Sequence, residues 1–180
     1  MLAKKSLGQH WLRSERVAKL IVQTAEIKNS ETVLEIGPGT GFLTKFLLQT
    51  GAGIIAIEKD DRMISLLKEK FSEEIRNEKL EIIHADILDF DIRNLGFDIS
   101  GYKLVANIPY YITGQIIRKF LSETKQQPEK MVLLVQDEVA RRIVGKNPST
   151  PLRARESLLS ISVKVYGTPK YVQKVPAKLF

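Results

Sequence analysis

Residues 33–44, "VLEIGPGTGFLT", set three glycines between two apolar runs of different character. The first run is short, as in a buried strand, and the second has apolar residues at helical spacing. Gly37, Gly39 and Gly41 let the backbone turn sharply and approach a ligand closely. The stretch therefore predicts a strand, a tight loop and a helix, with a ligand site at the loop.

The same alternation continues on both sides of this stretch. The predicted strands are TVLEI, GIIAIE, KLEIIHAD, YKLVAN and KMVLLVQ. Helical patterns cover residues 14–27, 42–50, 60–71, 113–123 and 137–144. Strands that alternate with helices predict an α/β fold with a doubly wound, mostly parallel sheet.

The last third of the chain is less regular. Residues 145–156 are rich in proline, small polar residues and arginine, and we predict an exposed loop. Residues 157–167 fit a helix or a strand, and "YVQKVPAKLF" (171–180) is predicted as a last strand. Because the chain stops directly after an apolar and aromatic pair, we expect it to be a fragment of a longer protein.

Composition narrows the classes of function. The chain has 180 residues with 43% hydrophobic content, which suits one domain. A net charge of +7 is typical of proteins that bind polyanions, although many proteins with such an excess of positive charge bind none. The absence of cysteine excludes disulfides and cysteine nucleophiles, and two histidines argue against a zinc site. We find no stretch typical of a signal peptide or membrane span, so we expect a cytoplasmic location.

Two carboxylates follow the predicted strands beside the glycine loop. Glu58 ends the second strand and Asp86 ends the third. A carboxylate in the first position can accept the hydroxyls of a ribose, and one in the second can accept an adenine amine. Either acid alone is better explained as a solvated strand end. Together, beside this loop, they favour a cofactor that contains adenosine.

The glycine spacing separates the candidate cofactors. It is G-x-G-x-G rather than the G-x-G-x-x-G of dinucleotide folds, and there is no lysine loop for ATP phosphates. Glu35 precedes the glycines, where an acid disfavours a pyrophosphate but can receive the ammonium of a methionine moiety. These features favour S-adenosylmethionine over NAD, and a nicotinamide dehydrogenase is kept as the alternative.

The stretch "NIPYYITG" (107–114) follows the fourth strand and predicts the second half of a pocket. The Asn107 side-chain oxygen and the Ile108 carbonyl can each accept one hydrogen of an aromatic amine, which aims its lone pair at a methyl group. Pro109 keeps Ile108 out of helical geometry, and Tyr110 can stack on a base. Such a site works by in-line positioning and requires an unpaired or flipped-out base.

The pattern as a whole resembles the ribosomal RNA adenine N6-methyltransferases, which comprise the KsgA-type dimethyltransferases and the erythromycin-resistance (Erm) enzymes. The matching stretches run in family order: KKSLGQHWL, VLEIGPGTGFLT, IEKD, HADIL, NIPYYIT, QDEVARRIV and VPAKLF. The resemblance implies a Rossmann-like, S-adenosylmethionine-dependent methyltransferase fold. It also implies that residues 1–180 are the catalytic domain and that the family's small C-terminal helical domain is absent.

The resemblance also implies roles for individual residues. The glycines would pass beside the methionine part of the cofactor, with Glu35 near its amino group. Residues in the cofactor site would be Gln9, His10, Leu12, Glu35, Gly37, Gly39, Gly41, Glu58, Lys59, Asp86, Ile87 and Asn107. The catalytic loop would be Asn107, Ile108, Pro109 and Tyr110, with Phe180 on the other face of the target base. Trp11 stands where the family more usually has phenylalanine.

The KsgA branch implies dimethylation of two adjacent adenosines near the 3′ end of small-subunit rRNA by a cytoplasmic monomer without a metal. The alternatives are an Erm-type enzyme for large-subunit rRNA and a ribosome-assembly factor whose methyl transfer is secondary. A group of basic residues is either an RNA-facing patch or a solvated surface. Because most of its members lie close together in the sequence, the group is better explained by contact with RNA phosphates. It comprises Lys4, Lys5, Arg141, Arg142, Lys146, Arg153 and Arg155.

Overall fold

A computed structural model describes residues 11–95, 101–145 and 158–180, without the side chains of Tyr110 and Leu158. The strands are β1 (Thr32–Ile36), β2 (Gly53–Glu58), β3 (Leu80–His84), β4 (Lys103–Asn107) and β5 (Lys130–Leu134). The helices are α1 (Glu15–Ala25), α2 (Phe42–Leu48), α3 (Asp61–Lys70), α4 (Ser72–Arg76), α5 (Thr113–Arg118), α6 (Asp137–Val144) and α7 (Leu158–Tyr166).

The five strands form one parallel sheet in the order β3-β2-β1-β4-β5. The chain therefore winds outward in one direction from β1 to β3, crosses back to the other side of β1, and then winds outward again to β5. The reversal makes the carboxyl ends of β1 and β4 the switch point of the sheet, where ligands of such folds bind. The predicted α/β class with a doubly wound parallel sheet is confirmed.

Two hydrophobic clusters cover the two faces of the sheet. On one face α1, α2 and α3 pack on residues such as Val33, Ala56 and Val105. On the other face α5 and the segment around Ile92 pack on residues such as Leu34. Because both faces are covered, β1 and β2 are buried along almost their whole length, as their mostly apolar sequences predict.

The observed bounds match most of the sequence-based expectations. TVLEI and GIIAIE are strands and DEVARRIV is a helix, each with the predicted bounds. The helix predicted over residues 113–123 keeps α-geometry to Arg118 and continues as a π-turn, Lys119–Glu123. The ambiguous segment 157–167 contains helix α7. The predicted loop at 145–156 lies outside the described residues from position 146 onward.

The prediction of a last strand over residues 171–180 is wrong. The C-terminal segment (167–180) pairs with no strand in the described parts of the chain and ends in a 3-10 turn, Ala177–Leu179. Alternating apolar residues are not sufficient for a strand, because a strand also needs a partner. Here Val175 and Leu179 pack against the core instead, and Arg13 N–H donates to the Leu179 carbonyl at 2.9 Å.

Candidate functional site

A cavity of about 390 Å³ lies at the carboxyl edge of the sheet, at the switch point. Residues at or just beyond the ends of all five strands contribute to its lining, including Gly37, Glu58, Asp86, Asn107 and Val135. The cavity is larger than a few water molecules and is in the range of small-molecule sites. It brings together the glycine loop, both predicted acids and the "NIPYY" stretch.

Backbone hydrogen bonds hold the Glu58 carboxylate in place. Its Oε2 accepts from Gly39 N–H at 3.0 Å, and its Oε1 accepts from the N–H groups of Lys59 and Asp60 at 2.8 and 2.9 Å. The residue is 7% exposed, so these bonds form largely away from water. Since a carboxylate offers about four lone-pair positions, capacity remains for about one hydrogen bond to a ligand.

Asp86 and Lys59 form an ion pair at the rim of the cavity. Lys59 Nζ lies 2.5 Å from one carboxylate oxygen of Asp86, and Leu88 N–H donates to the other at 3.0 Å. Partial burial by itself raises the pKa of Asp86, but these two hydrogen bonds outweigh it and the pKa lies below its ordinary value. Asp86 is therefore ionised at neutral pH. It follows β3 by two residues rather than ending it, and the adjacent Ile87 is buried against the cavity.

The three glycines have different roles. Gly37 and Gly39 line the cavity, whereas Gly41 does not. All three have positive φ, but a Cβ on Gly41 would lie 2.4 Å from Phe71 Cε2 and 2.8 Å from Leu67 Cδ2. Gly41 is thus required for the packing of α2 on α3, and its predicted place in the cofactor site stays a prediction.

Glu35 also lies away from the cavity. Its side chain is 1% exposed inside the sheet, where Ala56 and Val105 flank it on the neighbouring strands. Burial raises the pKa of Glu35 to about 8, and the negative charge of Glu58 adds to the rise. The Glu35 side chain extends into the covered face of β1 and does not line the cavity, and its predicted contact with the cofactor's amino group stays a prediction. Leu12 is likewise a core residue and does not line the cavity.

The stretch after β4 forms one wall of the cavity. Asn107, Ile108, Pro109 and Tyr111 all line it, and Ile108 N–H donates to the Leu134 carbonyl at 3.2 Å. The Pro109 carbonyl accepts from Ile112 N–H at 3.2 Å and so begins the 3-10 turn Tyr110–Ile112. The predicted stacking by Tyr110 depends on a side chain outside the described part of the structure.

Three side chains contact one another at the cavity beyond the end of β5. The Tyr171 hydroxyl donates to Asp137 Oδ1, Arg141 Nε donates to Asp137 Oδ2 at 3.0 Å, and the Arg141 guanidinium lies 5.1 Å from the centre of the Tyr171 ring. Tyr171 and Arg141 together hold the pKa of Asp137 below its ordinary value. Asp137 and Tyr171 line the cavity, and sequence reasoning missed both. Asp137 comes soon after a strand end, as Asp86 does, so the same rule could have found it.

Phe180 reaches the same wall. It lines the cavity at the end of the C-terminal segment, although it is far in sequence from Asn107. The segment is tied down by the hydrogen bond from Arg13 to Leu179 and by Tyr171 on Asp137. Phe180 therefore lines the same cavity as Asn107, and its predicted contact with the target base stays a prediction.

The predicted basic patch is only partly described. Arg141 pairs with Asp137, and Arg142 Nη2 lies 3.1 Å from Glu138 Oε1, so both arginines make contacts within α6. Neither lines the cavity. The other predicted RNA and cofactor contacts lie outside the described residues: Lys4, Lys5, Gln9, His10, Lys146, Arg153 and Arg155.

Within residues 11–95, 101–145 and 158–180, no group of three or more histidines and acids is placed to hold a metal ion. Also within them, none of the helices combines the length and the apolar character needed to cross a membrane.

A family model described as "Ribosomal RNA adenine dimethylase" matches residues 1–180. The curated "Ribosomal RNA small subunit methyltransferase A" of Dehalococcoides mccartyi (strain CBDB1) is 45% identical over 179 residues, which cover 99% of this chain and 58% of that protein. The protein of the same name from Synechococcus elongatus is 40% identical over 189 residues, covering 100% of this chain and 65% of that protein.

Two solved structures are similar in fold. A dimethyladenosine transferase from Plasmodium falciparum matches with a TM-score of 0.70 and 35% identity, over 87% of this chain and 52% of that one. The 23S rRNA methyltransferase ErmE matches with a TM-score of 0.64 and 30% identity, over 76% and 52% of the two chains. The chain spans about 58% of the length of the first curated relatives it matches.

Proposed function

This chain belongs to the ribosomal RNA adenine dimethylase family, and from that premise we propose that it binds S-adenosylmethionine and transfers methyl groups to N6 of adenine in ribosomal RNA. One observation carries the proposal. A single cavity at the switch point joins two acids and two glycines on one side to Asn107, Ile108 and Pro109 on the other.

The chemistry of the donors and acceptors fits the cofactor. Glu58 is a fixed carboxylate with capacity for a ribose hydroxyl, and Asp86 is an ionised carboxylate that can accept an amine hydrogen of the cofactor's adenine. Ile87 offers an apolar surface beside Asp86 for the ring. The glycine spacing, G-x-G-x-G rather than the G-x-G-x-x-G of dinucleotide folds, supports S-adenosylmethionine over NAD.

S-adenosylmethionine, when bound, supplies an electrophilic methyl group on a sulfonium. The chain's own contribution is to orient the acceptor nitrogen. Asn107 Oδ1 and the Ile108 carbonyl are the acceptors that we assign to the two amine hydrogens of the target adenine, which directs the nitrogen lone pair away from both. Because orientation supplies much of the rate, the site needs no strong base.

Aromatic side chains are assigned to the target base. Tyr111 is 54% exposed on the cavity wall, and Phe180 lies on the same cavity. Stacking on such rings is typically worth ~1–3 kcal/mol per base. A base can enter only when it is unpaired or flipped out, so we expect a single-stranded or distorted RNA target.

We further propose the small ribosomal subunit as the partner, with dimethylation of adjacent adenines as the outcome and the cytoplasm as the location. The names of the curated relatives support the small subunit. The similarity to ErmE supports the methyl-transfer reaction but not the small subunit as the partner, since the name of ErmE refers to 23S rRNA.

Methyl transfer from radiolabelled S-adenosylmethionine to purified small and large subunits, followed by mass spectrometry of the nucleosides, tests the proposal. We expect label in small-subunit RNA as N6-methylated adenosines. Label confined to large-subunit RNA would contradict the partner, and label on another atom or base would contradict the reaction.

A further inference from the structure

Lys174 is a cation at the cavity that the predicted basic group does not include. Within the described residues, the charged side chains that line the cavity are Glu58, Lys59, Asp86, Asp137 and Lys174. Glu58 accepts three backbone hydrogen bonds, Lys59 pairs with Asp86, and Asp137 pairs with Arg141. The Lys174 ammonium forms no hydrogen bond or ion pair with another described residue, so it is available to a ligand.

The position of Lys174 is at the rim of the cavity. The residue lines the cavity and is also exposed to solvent. Its backbone is held on both sides, by the hydrogen bond from Tyr171 to Asp137 and by the bond from Arg13 N–H to the Leu179 carbonyl. The ammonium is therefore carried by an anchored segment and can reach a group that stays outside the cavity.

The charges around Lys174 leave this part of the cavity positive. Hydrogen bonds from Tyr171 and Arg141 lower the pKa of Asp137, and the positive charge of Lys174 adds to the fall. Asp137 is thus ionised at neutral pH, and the Arg141 guanidinium that bonds to it offsets its charge. The charge of Lys174 remains in excess, which favours an anion.

The opposite part of the cavity has the opposite charge. Glu58 and Asp86 are two acids with one cation, Lys59, beside them. That excess of negative charge suits S-adenosylmethionine, whose sulfonium and ammonium outnumber its one carboxylate. The anion that Lys174 attracts is therefore better explained as part of the second substrate, the RNA.

A flipped-out nucleotide brings such an anion to the rim. Its base enters the pocket, where we have assigned Asn107 and Phe180 to it, while the phosphates on either side stay outside with the strand. Lysine binds a phosphate as a point charge and needs no fixed orientation for the contact. An exposed lysine beside Phe180 in the same segment matches that requirement.

We propose that the Lys174 ammonium binds a backbone phosphate that flanks the target adenosine. This inference rests on the proposed function and adds to it an RNA contact at the cavity itself. Lys174 is a binding residue for the RNA strand, and it takes no part in orienting the amine.

The test measures methyl transfer to purified small ribosomal subunits. Lys174→Met keeps a long side chain and removes the charge, whereas Lys174→Arg keeps the charge. We expect Lys174→Met to raise KM for the subunits about fivefold at about 50 mM salt, and by less at about 200 mM. The value of kcat should stay within about twofold, because the contact is present before and during transfer. Lys174→Arg should restore the wild-type KM, and no variant should change the affinity for S-adenosylhomocysteine.

Lys170→Met is the matched control for the loss of one positive charge. Lys170 is an exposed lysine of the same segment that does not line the cavity. Its charge acts on Glu26, which pairs with Lys130 at the start of β5, on the opposite edge of the sheet. We expect this variant to leave KM for the subunits unchanged.

The other outcomes overturn distinct claims. An unchanged KM in Lys174→Met would remove the contact, and an equal rise in Lys170→Met would reduce it to a general effect of net charge. A matching loss of S-adenosylhomocysteine affinity would assign Lys174 to the fold of the cavity. Each of these results overturns the inference and leaves the proposed function standing. A wild-type chain that transfers no methyl group to either subunit overturns the proposed function and this inference with it.

A second readout tests the phosphate directly and does not depend on turnover. Two short single-stranded RNAs contain one adenosine each, and in one of them neutral methylphosphonates replace the two flanking phosphates. In fluorescence anisotropy with S-adenosylhomocysteine present, we expect the wild-type chain to bind the neutral form about fivefold more weakly. Lys174→Met should discriminate less between the two RNAs, because the partner of the phosphate is gone. Equal discrimination by variant and wild type would contradict the inference.

Discussion

The two ends of the cavity are built in different ways. The cofactor end (Gly37, Gly39, Glu58 and Asp86) is held mainly by backbone groups next to strand ends, with three N–H bonds on Glu58 alone. The target end (Asn107–Pro109, Asp137, Tyr171 and Phe180) depends on contacts between distant segments, such as the hydrogen bond from Tyr171 to Asp137.

Because of this difference, we expect cofactor binding and methyl transfer to vary independently. The cofactor end forms as soon as the parallel sheet forms, because its polar groups are fixed by the strands and the turns that follow them. The target end also requires the C-terminal segment to dock on α6 and near Arg13. Changes at the target end should therefore reduce methyl transfer while cofactor binding persists.

Asn107→Ala should give the largest separation of the two ends. We expect methyl transfer to small ribosomal subunits to fall by about 100-fold or more, because an acceptor that orients the target amine is lost. The affinity for S-adenosylhomocysteine, measured by titration, should change by about twofold at most. Asn107→Asp keeps an acceptor oxygen and should retain more activity than alanine. A rate within about tenfold of wild type for Asn107→Ala would remove Asn107 from its assigned role.

Gly41→Ala should disrupt the packing of α2 on α3 next to the cofactor end and destabilise the fold. The new methyl group would meet Phe71 and Leu67 in a backbone conformation that alanine disfavours, so we expect the free energy of unfolding to fall by about 3 kcal/mol in urea denaturation. Gly37→Ala is the matched control: φ is +66° there and nothing lies within 4 Å of the added atom. Backbone strain alone should give about 1 kcal/mol for that variant. Similar losses in both variants would show that the contact with α3 is unimportant.

Glu35→Gln should change how the free energy of unfolding depends on pH. The pKa of Glu35 is about 8 in the folded protein against an ordinary value of 4.5, so the folded state keeps a proton that the unfolded chain releases in this range. The free energy of unfolding therefore falls as the pH rises from about 5 to about 8. Removing the titrating group should remove about 3 kcal/mol of that fall, measured by urea denaturation at both pH values. Identical slopes for variant and wild type would contradict the buried, protonated carboxyl.

Tyr171→Phe should have the smallest effect and should confine it to the target end. Loss of the hydrogen bond to Asp137 should lower the free energy of unfolding by about 1 kcal/mol. We expect a higher KM for RNA and an unchanged affinity for S-adenosylhomocysteine. Tyr166→Phe, at an exposed tyrosine that does not line the cavity, is the matched control. If cofactor affinity fell as much as RNA affinity, the two ends would not be independent.

The sequence is informative about the cofactor end for a physical reason. The carboxyl ends of parallel strands share one edge, so Glu58 and Asp86 could be placed together from their positions after strands alone. The burial of Glu35 was harder to foresee, because the alternation along β1 turns its side chain into a covered face of the sheet. The role of Gly41 in packing depends on the side chains of another segment that lie against it, and no local pattern encodes that.

The target end was harder to predict from sequence. Asn107 ends β4 and Ile108 follows it, so the sequence could place both at the cavity, but Tyr171 meets Asp137 only through the docking of the C-terminal segment. The apolar alternation in that segment predicted a strand, whereas its residues pack on the core without a strand partner in the described structure.

Isothermal titration of this chain with S-adenosylmethionine and then with NAD tests the central claim most directly. The account predicts saturable one-to-one binding of S-adenosylmethionine, no saturable binding of NAD, and clearly weaker S-adenosylmethionine binding in Glu58→Ala. Binding of NAD with equal or higher affinity, or no saturable binding of S-adenosylmethionine by the folded chain, would contradict it.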